Sequence, residues 1–134
     1  MTTDNLSELT ALIIDDQEFV LNIVRKMMEQ IGFARVTTAR DGREGLKVLP
    51  TVQPAVVVCD IEMRPMDGLT FLSELRKSPD AETRETPLIF LTAHGRHDLV
   101  TKARDLGADG FVTKPATVTL LKECILQAVA RHAA

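Results

Sequence analysis

The chain has no tryptophan, no tyrosine and only two cysteines. Its longest apolar stretches, such as Ala55 to Cys59, are far too short to span a bilayer. Each absence excludes something. Cys59 and Cys124 cannot build a disulfide framework or a zinc motif; each sits in an apolar run and reads as a buried free thiol, weak support for a reducing compartment. Met1-Thr2-Thr3-Asp4-Asn5 lacks the basic-then-apolar pattern of a secretory signal, so the expected location is cytoplasmic. No basic run occurs: 16 Lys and Arg stand against 19 acids, a formal charge of -3, and neither nucleic acid nor a membrane surface is an expected direct partner. With only 7 Gly and 6 Pro beside 45% hydrophobic residues, the balance is that of a packed globule. The expectation from 134 residues is a single domain over 1–134, with a core from about 9 to 132 and no output domain.

Apolar, β-branched runs predict strands at Ala11 to Ile14, Ala55 to Cys59 and Leu88 to Leu91, with weaker ones at Arg35 to Ala39 and Gly110 to Thr113. Helical spacing separates them. Val20, Ile23, Val24, Met27 and Ile31 define a first helix that Gly32 should stop. A second is predicted from about Gly42 to Leu49 before Pro50, and a third from Gly68 to Arg76 with Leu69, Leu72 and Leu75 inward. A fourth runs from Arg96 to Leu106, and a fifth carries Val118, Leu121, Ile125, Ala128 and Val129 on one face. Lys77 to Pro87 reads as a surface loop. Strand alternating with helix predicts an α/β fold: a parallel, five-stranded sheet with right-handed crossovers and helices on both faces. The all-apolar first and third strands belong at the centre and the mixed second strand at an edge, giving the order 2-1-3-4-5.

In such sheets ligands bind beyond the carboxyl ends of the strands. Those ends are Asp15-Asp16, Asp60, Thr92 and Lys114-Pro115. Each has an ordinary explanation alone: Asp15 and Asp16 as caps of the first helix, Asp60 as a turn carboxylate, Thr92 as a cap of the fourth helix, Lys114 as a solvated amine. Together they weigh differently. Two carboxylates about 5 Å apart repel by roughly 3 kcal/mol at an effective dielectric near 20, against about 0.3–1 kcal/mol from a helix terminus. Either a proton is shared or a cation sits among them, and oxygen donors without His or Cys favour a hard ion such as Mg²⁺. Lys114 and Thr92 then suit an anion on the far side of the ion, with a carboxylate as nucleophile: the parts phosphoryl transfer needs.

Over essentially its whole length the sequence resembles the receiver domains of two-component response regulators. The matching stretches are Leu12-Ile13-Ile14-Asp15-Asp16, Val57-Val58-Cys59-Asp60, Met66-Asp67-Gly68, Leu91-Thr92-Ala93 and Lys114-Pro115. The resemblance implies a flavodoxin-like doubly wound (βα)5 fold. It also implies that Asp60 is the phosphorylation site, that Asp16 and Asp60 give oxygens to Mg²⁺ with Asp15 helping to hold the ion, and that the Glu62 backbone carbonyl is a further ligand. Lys114 would pair with the phosphoryl group, Thr92 would be the hydroxyl that moves to it, and Phe111 matches the aromatic that turns inward on activation. An ordinary core phenylalanine is the competing reading of Phe111. The Lys114-Pro115 bond is expected to be cis. The implied partners are a sensor histidine kinase or phosphotransfer protein, and a downstream protein bound on the face of the fourth helix, fifth strand and fifth helix.

Departures from the family pattern are expected to matter. Arg64 stands where the family's usual proline does, with Pro65 after it, so the loop after the third strand should differ in shape. Glu62, two residues past Asp60, and His94, two past Thr92, occupy positions that commonly tune dephosphorylation. His94 and His97 read as surface residues at a helix start in preference to metal ligands. With two alanines after His132 beyond the fifth helix, the expectation is a stand-alone receiver, not an enzyme beyond its own phosphorylation and dephosphorylation. Three alternatives remain. One is an interaction module that is never phosphorylated, and another a phosphatase of the haloacid dehalogenase type. The third, a flavin carrier, is disfavoured by the missing aromatics and phosphate loop.

Overall fold

The computed structural model describes residues 6–93 and 95–133. After a 3-10 turn at Leu6–Glu8 come β1 (Thr10–Ile14), α1 (Glu18–Ile31), β2 (Arg35–Ala39), α2 (Gly42–Val52), β3 (Val56–Cys59) and α3 (Gly68–Arg76). The one-turn helix α4 (Ala81–Arg84), β4 (Leu88–Thr92), α5 (His97–Asp105), β5 (Gly110–Thr113) and α6 (Val118–Ala133) follow. All strand pairs are parallel and their order is β2-β1-β3-β4-β5, as the apolar content of the strands predicts. The helices predicted fourth and fifth are therefore α5 and α6. None of the helices among the described residues is long and apolar enough to cross a membrane.

Successive strand residues point to opposite faces, and the core divides accordingly. Ala11, Ile13, Val56, Val58, Ile89 and Leu91 pack with Leu21, Val24 and Met28 of α1 and Leu121, Ile125 and Ala128 of α6. Leu12, Ile14, Val57, Cys59, Leu88 and Phe90 pack on the other face with Leu49 of α2, Phe71, Leu72 and Leu75 of α3 and Ala103 of α5. Both faces of the central strands are apolar for this reason. Each fully buried Leu, Ile or Phe contributes roughly 1.5–3 kcal/mol of transfer free energy.

Several expectations need correction. The buried stripe of α1 is Leu21, Val24, Met28 and Ile31; Ile23 is 44% exposed, because the helix is rotated by most of one residue from the predicted phase. On α3, Phe71 is buried and Leu69 only partly so. α2 continues past Pro50 to Val52, where Gln53 N–H closes the last turn on the Leu49 carbonyl at 2.9 Å. Only one donor is lost so near the helix end. The segment from Lys77 to Pro87 is not all loop: Asp80 starts α4 by accepting from Thr83 N–H at 3.2 Å and Thr83 Oγ1 at 2.7 Å. Cys124 is only half-buried, while Cys59 is buried and both thiols are free. Gly32 does stop α1, at φ 123°, with its N–H on the Met28 and Glu29 carbonyls.

The same capping logic yields a measurable effect on α2. Asp41 accepts from Arg43 N–H at 2.7 Å and Glu44 N–H at 3.1 Å. Asp41→Ala should lower stability by about 1 kcal/mol in urea denaturation, with Asp41→Asn recovering most of it.

Candidate functional site

The residue immediately after each of three strands continues the ladder by one bond. Asp15 N–H donates to Ala39 O at 3.1 Å, Asp60 N–H to Ile14 O at 2.9 Å and Lys114 N–H to Thr92 O at 2.8 Å. The pairing of Ile14 with Cys59 sets Asp15 and Asp60 side by side, and that of Thr92 with Thr113 brings Lys114 beside them. These side chains are thus held by the sheet.

One carboxylate oxygen from each of Asp15, Asp16 and Asp60 lies within 4.8 Å of the others, and no other group of acids, histidines or cysteines among the described residues is so arranged. Asp15 is buried and Asp16 exposed. Asp15 Oδ1 accepts from Gln17 N–H at 2.9 Å, and its Oδ2 accepts from Lys114 Nζ at 3.1 Å. Lys114 Nζ stands 4.0 Å from Asp60 Oδ2. Asp60 Oδ1 accepts from Ile61 N–H at 2.8 Å, and Thr92, fully buried, hydrogen-bonds the Asp60 side chain. Three oxygen-only acids with no nitrogen or sulfur donor among them fit a hard divalent cation.

The helix-capping explanations of these residues are not what the structure shows. The N-cap of α1 is Gln17, without a side-chain cap bond, and that of α5 is Arg96, so neither the aspartate pair nor Thr92 caps a helix. Asp60 is pushed above its ordinary carboxyl value, first by burial and then by the Asp15 charge, against opposing help from Lys114, the Ile61 N–H and Thr92. Lys114 answers the repulsion only in part. Burial, with Asp60 and Asp15 adding, also pushes the Cys59 thiol well up. It stays protonated and donates to the Asp60 carbonyl at 3.0 Å. Sequence reasoning assigned Cys59 no such contact, because a thiol in an apolar run carries no signal of its partner.

The remaining expected residues are placed around this rim. Phe111 on β5 is half-buried and meets Phe90 edge-on, with ring centroids 6.3 Å apart and planes at 62°. Glu62 is exposed in the loop after β3. His94 lies outside the described residues; His97, the first residue of α5, is exposed. The Lys114-Pro115 bond is cis as expected, and so is Arg64-Pro65 in the loop whose proline is displaced.

Residues 11–126 match the model of the response regulator receiver domain. The chain is 35% identical over 118 residues to a probable chemotaxis protein CheY of Rhizobium etli, covering 88% of this chain and 90% of that protein. It is 32% identical to the transcriptional regulatory protein PdtaR of Mycobacterium tuberculosis, covering 90% of this chain but only 56% of that longer relative. The crystal structure of a response regulator receiver domain protein from Clostridium thermocellum superimposes with a TM-score of 0.82 at 30% identity, over 92% of this chain and 96% of that one.

Proposed function

Because the chain belongs to the response regulator receiver domain family, we propose that Asp60 accepts a phosphoryl group from a phosphohistidine of a sensor kinase or phosphotransfer protein, in a Mg²⁺-dependent reaction that switches partner binding in the cytoplasm. Receiver domains are signalling switches that interact with such donors and with downstream targets. The observation that carries the reading is the triangle of Asp15, Asp16 and Asp60 flanked by Lys114.

The carboxylates of Asp15, Asp16 and Asp60, with the Glu62 backbone carbonyl, would hold the ion. When bound, Mg²⁺ supplies positive charge for the phosphoryl oxygens. An Asp60 oxygen attacks phosphorus as the donor's P–N bond breaks; the electron pair leaves with the imidazole nitrogen, which takes a proton, and an acyl phosphate remains. The Lys114 ammonium, between Asp15 and Asp60, pairs with a phosphoryl oxygen. The Thr92 hydroxyl, hydrogen-bonded to the Asp60 side chain, donates to the phosphoryl group instead. A net gain near 1 kcal/mol from one hydroxyl bond can only bias states that are almost balanced. Phe111, half-buried between α5 and α6, is the residue whose inward position reports that bias, and the α5–β5–α6 face is where the downstream protein binds. Glu62 and His94 tune hydrolysis of the acyl phosphate.

Acetyl phosphate with Mg²⁺ tests the reading. Intact mass should show one added phosphoryl group, absent when the metal is chelated. Steady multiple turnover of phosphate esters would instead favour the phosphatase alternative.

A further inference from the structure

The loop 61–67 leaves the sheet directly after Asp60 and returns to it at Gly68, whose N–H donates to the Ile61 carbonyl at 2.8 Å. That bond closes the neck of the loop. A Cβ on Gly68 would overlap the Asp60 carbonyl oxygen and stand 2.8 Å from Phe90 Cε1 and 2.9 Å from Ile61 Cα. Two of those three neighbours are backbone, which cannot swing aside as the end of a long side chain can. Only glycine permits so close an approach. The thiol of Cys59, the preceding residue and the last of β3, reaches the same carbonyl at 3.0 Å. The Asp60 peptide is therefore confined both by the start of α3 and by its own strand.

The geometry points to Gly68 as a positioning residue: its bare Cα lets the first turn of α3 close the loop on the Asp60 peptide, setting the Asp60 carboxyl and the Glu62 carbonyl relative to Asp15 and Asp16. The inference rests on the receiver reading, since Mg²⁺ and the phosphoryl group are what is being positioned. Asp67 supports the closure by accepting from Thr70 N–H at 2.8 Å, which holds that first turn in place. A displacement of about 1 Å at a reacting group costs about a hundred-fold in rate.

Gly68→Ala is compared with Gly45→Ala, where the three atoms nearest the added Cβ belong to side chains, of Ile14 at 2.5 Å and 3.4 Å and of Phe71 at 3.0 Å. Both are studied where circular dichroism shows them folded. Calorimetric Mg²⁺ titration should show roughly ten-fold weaker binding for Gly68→Ala, and phosphoryl uptake from acetyl phosphate about a hundred-fold slower. Gly45→Ala should lose stability and keep both. Mg²⁺ affinity in Gly68→Ala equal to that of the wild type would overturn the inference. Should Gly68→Ala fail to fold, amide exchange in the wild-type protein decides: saturating Mg²⁺ should raise protection of the Gly68 amide, because linked equilibria act reciprocally. Unchanged protection overturns the inference equally. A wild-type chain that neither binds Mg²⁺ nor takes up phosphate defeats the receiver reading itself, and the inference with it.

Discussion

Asp60→Asn should abolish phosphoryl uptake from acetyl phosphate and at the same time make the metal-free fold more stable at neutral pH. The first effect follows from loss of the nucleophile: an amide oxygen cannot form the acyl phosphate. The second follows from the repulsion already present at the rim. The Asp60 carboxyl lies above its ordinary value because of burial, with Asp15 adding and Lys114, the Ile61 N–H and Thr92 opposing. A carboxyl raised in the folded state holds its proton there while the unfolded chain has released it. Its contribution to stability is thus full below the unfolded value and is lost as pH rises through the folded value. Asparagine has no such titration and retains an oxygen for the Ile61 N–H. Urea denaturation from pH 4 to pH 8 without metal should show the variant's advantage opening as pH rises. A wild type that is the more stable of the two at pH 8 would mean that the acids at the rim do not strain one another.

The second large effect lies at the opposite end of the sheet, where Asp109→Ala should cost about 3–5 kcal/mol. The Asp109 side chain is 5% exposed, and its Oδ2 accepts from Arg76 Nη2 at 3.1 Å and Leu88 N–H at 2.9 Å. His132 Nε2 is 2.7 Å and Arg131 Nη1 3.5 Å from Oδ1, so the last turns of α6 are tied to the start of β5. Arg76 also donates to the carbonyls of Gly107, Arg84 and Thr86. Burial pulls the Arg76 guanidinium below its ordinary value, and Asp109 is the first of the charges that oppose this. Alanine would leave a half-buried cation without its nearest counter-ion and a strand N–H without its acceptor. Asp109→Asn, which keeps an acceptor for Leu88, should cost less. A loss under about 1 kcal/mol for the alanine variant would show that water replaces the carboxylate at no great cost.

These two sites differ in how far they could be read in advance. Asp15, Asp16 and Asp60 follow apolar runs of strand length, Thr92 closes another and Lys114 ends the weaker fifth, so the strand signal alone sends them to one rim. Asp109 precedes a strand, and its partners come from α3, β4 and α6, a convergence that has no short-range trace in sequence. The fold was legible for the same reason as the rim: strands buried on both faces are apolar throughout. The phase of α1 was not, since Val20, Leu21, Ile23, Val24 and Met27 offer two overlapping stripes and only the packing against β1 and α6 selects Leu21 over Ile23. Pro50 misled because a proline in a last turn removes one bond without ending the helix. α4 rests on the Asp80 cap, a local signal available in Asp80-Ala81-Glu82-Thr83 but outweighed by Pro79 and the surrounding polarity.

The central claim is that Asp15, Asp16 and Asp60 share one Mg²⁺ beside a carboxylate that is phosphorylated. Diffraction from crystals grown with Mg²⁺ and beryllofluoride tests it most directly. The account predicts a metal bound by those three side chains and a beryllofluoride group on Asp60, with Lys114 and Thr92 on its fluorines. A metal bound elsewhere, or an unmodified Asp60 beside an intact Lys114–Asp15 pair, would contradict it.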